Sequence, residues 1–119
     1  MPYIYKLHAF VVMPDHIHLL LTPQETLERA VGLIKGGFSH RLASKLPVWQ
    51  RGFTDHRIRD AADYSIRHRY IHQNPVTARL CEKPEVYLFS SANPALQLDA
   101  YSAVEEAETV PQGLKPHES

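Results

Sequence analysis

A chain of 119 residues has room for one small domain and not two. Its 44% hydrophobic and 22% charged residues are those of an ordinary globular protein, and no apolar run reaches the length that spans a bilayer. The N-terminus shows no charged region followed by an apolar signal core, and the single cysteine, Cys81, has no partner in the chain, so a cytoplasmic location and a buried thiol are the expectation.

The formal net charge of zero conceals an asymmetry. Between Arg29 and Lys83 eleven basic residues stand against four acidic ones, a net +7, whereas from Glu85 onward one basic residue stands against six acidic ones, a net −5. A basic body with an acidic tail fits a polyanionic partner for the body, and equally an ordinary solvated surface.

In chain order, Tyr5 to Val12 is rich in aromatic and β-branched residues and reads as a strand. Met13-Pro14-Asp15 is a turn, and His16 to Leu21 a second strand, so the two form a hairpin. Thr22-Pro23-Gln24-Glu25 matches a capping box with proline at the first helical position, which predicts a helix from near Pro23. Leu27, Val31, Ile34, Phe38, Leu42 and Leu46 form its apolar face, with Lys35 and Arg41 off that stripe. Gly36-Gly37 costs this helix roughly 1 kcal/mol per glycine relative to alanine and marks a bend or a close approach, and Pro47 ends it. Val48 to Arg57 reads as a third strand interrupted by Gly52.

Asp60 can cap a helix from Ala61 to about Gln73. Asn74-Pro75 should break it, because a residue before proline is pushed out of helical geometry, and Pro75 should open a short helix from Val76 to Cys81. The stretch EVYLFSSANP, from Glu85 to Pro94, is expected to be extended and to pack back on the body. The division is therefore a folded unit over 1–97 and an acidic, disordered or loosely attached tail over 98–119.

Two constellations carry chemistry. His16 and His18 lie i and i+2 on a strand, so both imidazoles point to one face and can converge on a divalent ion. Two polar side chains on an exposed strand face would read the same way. Tyr70 and Asn74 lie i and i+4 on a helix and share a face. Asn74 offers an amide oxygen that would complete a His-His-Asn site, or it simply caps the helix opened by Pro75. Tyr70 offers a phenol whose attack on a phosphate needs alignment and a polarised target, or it is a core aromatic. His68 and His72 share a helix face as well and are expected to look toward solvent or phosphate beside Arg67 and Arg69, with His56 a further DNA contact.

YKLHAFVVMPDHIHLLLTP, IKGGFSHRL, WQRGFTDHRIRD and YIHQNPVTARLCEKPEVYLFSSA, in that order, resemble the single-tyrosine HUH transposases, in the branch of REP-associated tyrosine transposases. The resemblance covers roughly Tyr5 to Ala92. It implies an α+β fold, a ferredoxin-like sandwich with an antiparallel sheet. It further implies His16, His18 and Asn74 as ligands of Mg²⁺ or Mn²⁺ and Tyr70 as the nucleophile that cuts and joins single-stranded or hairpin DNA. Lys35, Arg41, Arg51, Arg57 and Arg59 then become candidates for DNA phosphates. Trp49 and Phe53 are either base-stacking platforms or core. The family's first strand and helix have no counterpart ahead of Tyr5, which is expected to leave a gap in the sheet. A gene start set too far downstream, a decayed transposase, or a strand from a second chain in a homodimer would each account for it. The competing reading is a catalytically inactive remnant that binds DNA hairpins.

Overall fold

The computed structural model describes residues 5–42, 48–49, 55–95, 98 and 106–115, with the side chains of 35–42, 48–49 and 112–115 set aside. The hairpin forms as the sequence predicts. Strand β1 (Tyr5–Val12) pairs antiparallel with β2 (His16–Pro23), and Met13 N donates to His16 O at 2.8 Å to close the turn. A bulge at His8 resets the register between Leu7 and Ala9, and the displaced imidazole is buried with Nε2 2.8 Å from Thr22 Oγ1.

Helix α1 (Leu27–Leu42) begins later than the capping box suggested. The strand persists to Pro23, and Thr26 accepts from Arg29 N at 3.1 Å as the cap. Pairing of Pro23 with Tyr5 extends the sheet through the residues that would have opened the helix. Leu27, Val31 and Ile34 pack as the apolar stripe requires, joined by Ala30; Leu46 falls outside the described residues. Of the expected third strand, the described residues include β3 (Val48–Trp49) and β4 (His56–Arg57), and residues 50–54 lie outside them.

Helix α2 (Ala61–Thr77) differs from expectation in the way that matters most for the site. It runs straight through Asn74-Pro75, and the separate helix expected from Pro75 is its last turn. Pro75 is buried, so packing offsets the conformational preference against helix before proline. Asp60 caps the start by accepting from Asp63 N at 2.8 Å. The end closes at Arg79, whose φ of 63° is left-handed, with Leu80 N donating to Pro75 O at 2.8 Å.

The acidic tail is not loose throughout. Residues Glu108–Lys115 form β5, which lies inside the sheet. The order is β1-β2-β5-β3, with β4 also on β5, and every pairing is antiparallel. The architecture is α+β, with a helix on each face of an antiparallel sheet. Phe10, Val12, Ile17, Leu19, Leu21 and Val110 meet α1 on one face. Ala9, Val11, Leu20 and Ala107 meet Ile71 of α2 on the other. A strand covered on both faces reads as a continuous apolar run, which is why Leu19-Leu20-Leu21 follows the histidines.

The stretch from Glu85 to Pro94 packs back on the body as anticipated but is not extended: it is a 3₁₀ turn at Pro84–Val86 followed by turns, with one bridge between Ser90 and Val11. Val12 N donates to Phe89 O at 2.8 Å, Ser91 N to Phe10 O at 3.0 Å and the Tyr87 hydroxyl to Val12 O at 2.7 Å. The free edge of β1 is thereby covered. Cys81, expected to be buried, is only partly so.

Candidate active site

Strand alternation puts His16 and His18 on the face of β2 that looks toward α2. Ile71 and Pro75 anchor that helix in the core, and the neighbouring stripe, Tyr70 and Asn74, then lies over the histidines. The structure brings all four together. The Asn74 side-chain amide is 3.3 Å from His16 Nε2 through Nδ2, and the rings of His18 and Tyr70 meet edge to face at 5.6 Å. Asn74 is inside the helix, so it is not a cap. Tyr70 is 57% exposed, so it is not a core aromatic.

Each imidazole is oriented by a further partner. His16 Nδ1 lies 2.8 Å from Asp15 Oδ1, which leaves Nε2 directed at Asn74. That hydrogen bond, with the attraction of the His16 ring, holds the Asp15 carboxyl below its usual range. His18 is buried, and its Nε2 is 2.7 Å from the Thr109 hydroxyl of β5. Burial pushes the His18 imidazole down to about 4, and the charges of His16 and Arg67 act in the same direction. The ring is therefore neutral at pH 7, the state in which imidazole binds a metal.

The donor set has the chemistry to hold a divalent cation. It consists of two imidazoles and one amide whose oxygen exchanges places with Nδ2 by rotation. A set of three donors leaves coordination positions for water and phosphate oxygens. Among the described residues no three His, Cys, Asp or Glu side chains converge on a metal position, so a cation here would draw on the Asn74 amide beside His16 and His18.

A buried carboxylate fixes the start of α2. Asp63 accepts from Arg59 N at 3.0 Å and from Arg67 Nε at 3.3 Å, and lies 3.5 Å from His56 Nε2. The Arg59 amide, with Arg67 and His56, keeps its carboxyl below the usual range despite burial. His56 is thereby tied into this network.

The basic candidates divide. Arg57 is exposed and pairs with Glu106 at 3.4 Å and Glu108 at 3.8 Å, both from the C-terminal segment. Arg59 is exposed, with Nε 3.8 Å from Asp63. The side chains of Lys35 and Arg41 and all of Arg51 lie outside the described residues, as do the side chain of Trp49 and all of Phe53. His68 and His72, expected to face solvent or phosphate, are half-buried and meet edge to face at 4.3 Å, and His72 Nε2 is 2.8 Å from Ser91 Oγ. Burial lowers both, His72 to about 4. They line a cleft of about 580 Å³ with Ser65, Arg69 and Gln73.

Sequence reading missed Thr109, Asp63 and Arg67. Asp63 was legible as a buried acid only through its i,i+4 spacing to Arg67. Thr109 is 91 residues from His18 and carries no local signal.

A strand-borne His-x-His facing a helix-borne Tyr-x-x-x-Asn on an antiparallel α+β scaffold defines a class, the HUH proteins with a single tyrosine. The sequence profile described as IS200-like transposase matches residues 2–74, and the chain belongs to that family. A REP-associated tyrosine transposase of Escherichia coli is 35% identical over 75 residues, covering 60% of this chain and 45% of the relative. A Haemophilus influenzae protein provisionally given the same name is 27% identical over 115 residues, covering 83% of this chain and 65% of the relative. A second Haemophilus influenzae protein, uncharacterised, is 26% identical over 110 residues, covering 70% and 59%. The chain thus spans roughly half to two thirds of the length of these relatives. No solved structure matches it significantly.

Proposed function

We propose that this chain is a divalent-metal-dependent transferase, acting in the cytoplasm, that nicks and rejoins single-stranded or hairpin DNA through Tyr70. One observation carries the reading: Tyr70 and Asn74 of one helix stand directly over His16 and His18 of one strand, with Asn74 Nδ2 3.3 Å from His16 Nε2. Family membership and the names of the relatives support it.

His16, His18 and Asn74 would hold Mg²⁺ or Mn²⁺. When bound, such an ion draws electron density from the phosphate oxygens and makes the phosphorus a better target. The exposed Tyr70 phenol then forms its O–P bond while the bond from phosphorus to the 3′ oxygen breaks. The phenolic proton passes to water, and the departing oxygen takes one up. A 5′-phosphotyrosine and a free 3′-hydroxyl result. One phosphate ester has replaced another, so the reverse attack rejoins a strand without ATP.

The test is formation of a covalent protein–oligonucleotide adduct on a single-stranded hairpin with Mn²⁺ or Mg²⁺. The adduct is expected with the native chain and is lost in Tyr70→Phe and on chelation. An equal yield from Tyr70→Phe contradicts the assignment. The Thr109 hydroxyl on His18 Nε2 favours a second reading, a hairpin-binding chain without strand transfer. It expects salt-sensitive binding and no adduct.

A further inference from the structure

We propose that Arg67 is a further catalytic residue of this site, its guanidinium binding the non-bridging oxygens of the phosphate that Tyr70 attacks. The inference rests on the reading of Tyr70 just given. Arg67, Tyr70 and Asn74 stand at i, i+3 and i+7 of α2 and so form one stripe on the helix. The guanidinium is directed by two contacts: Nε to Asp63 Oδ1 at 3.3 Å and Nη2 to His56 Nε2 at 3.4 Å. His56 is the register partner of Thr109, whose hydroxyl meets the His18 ring. Arg67 is thereby held on the His18 side of the site.

Among the described residues the two contacts leave N–H donors of the guanidinium unused, and the side chain is 38% exposed. A guanidinium presents paired donors that match two phosphate oxygens, and charge builds on those oxygens as phosphorus is attacked. Asp63 is itself fixed by the Arg59 amide, so the arm that aims Arg67 is rigid before DNA arrives. Arg69 does not compete for the role, because it lines the cleft with His68 and His72 instead. The His-His-Asn set contains no carboxylate, which leaves a phosphate's negative charge to the cation and to Arg67.

The experiment compares the native chain with Arg67→Ala, Arg67→Lys and Arg67→Gln on a single-stranded hairpin carrying random-sequence extensions, with Mn²⁺. It reads the single-turnover adduct rate at saturating DNA, the salt dependence of binding and the thermal midpoint. Arg67→Ala is expected to slow the adduct about 100-fold. It should also reduce the slope of log affinity against log salt by about one. Arg67→Lys keeps the charge facing Asp63 but loses the paired donors, so it folds and stays at least about tenfold slow. If Arg67→Ala does not fold, the Lys and Gln variants decide. A Tyr70-dependent adduct whose rate and salt slope are unchanged in the folded variants overturns the role of Arg67 and leaves that of Tyr70 standing. A salt slope that falls by about one in a chain giving no adduct supports Arg67 as a phosphate ligand and overturns the nucleophile.

Discussion

Asn74 shows how one residue escapes its local signals. An asparagine before proline reads as a cap, yet the buried Pro75, the contact with His16 and the bond from Ala78 N to Asn74 O at 3.0 Å accompany a helical conformation. Its chemistry was legible as an i,i+4 partner of Tyr70; its conformation was not. The His-x-His pair was equally legible, because strand alternation alone puts both rings on one face. Their other partners, Asp15 and Thr109, are set by the turn and by a strand far along the chain. At this scale the account predicts metal affinity. His16→Ala and Asn74→Ala should each weaken Mn²⁺ binding by at least about tenfold, measured by calorimetry, whereas His68→Ala should leave it unchanged. Loss of affinity only in His68→Ala would move the metal to the other stripe of α2.

The starts of helix α2 and strand β2, and the stripes carrying Tyr70, Asn74, His16 and His18, were legible in the sequence; the C-terminal ends and the surroundings of His68 and His72 were not. The capping box at Thr22 lost to sheet pairing of Pro23 with Tyr5, and the proline at 75 lost to burial. Local signals weigh about 1 kcal/mol for a cap. Burying a large apolar side chain weighs roughly 1.5–3 kcal/mol, so tertiary packing moves the boundaries. The true end of α2 carries its own signature. Arg79 adopts φ 63°, a conformation unfavourable for any residue with a Cβ. Arg79→Gly is expected to stabilise the fold by up to about 1 kcal/mol in urea denaturation. A destabilisation of that size would mean that the Arg79 side chain contributes more than its backbone strain removes.

At the scale of the molecule, the C-terminal segment is the main lesson. ETVPQGLK contains a proline and a glycine, both depleted in strands, so composition pointed to a tail. Yet β5 pairs with β2, β3 and β4, and Val110 is fully buried. A chain ending before Glu106 is therefore expected to lose its cooperative thermal transition. A retained transition with unchanged midpoint would show β5 to be dispensable. The buried imidazoles make a second prediction. Unfolded histidines take up protons near 6.5, whereas His18 and His72 do so only near 4 in the fold. The unfolded state binds more protons in that window, so stability falls as pH drops from about 6.5 to about 4. Urea midpoints at pH 7.5 and 5.0 check this, and His72→Gln should reduce the difference. A midpoint that rises on acidification would contradict the burial of these rings.

The central claim is that the phenol of Tyr70, held over His16, His18 and Asn74, becomes covalently joined to DNA. Mass spectrometry of the nuclease-trimmed, protease-digested adduct tests it most directly. The account predicts a nucleotide mass on the peptide containing Tyr70, and on no other tyrosine, only when Mn²⁺ or Mg²⁺ is present. The same mass on a different residue, or on Tyr70 without a divalent ion, would contradict it.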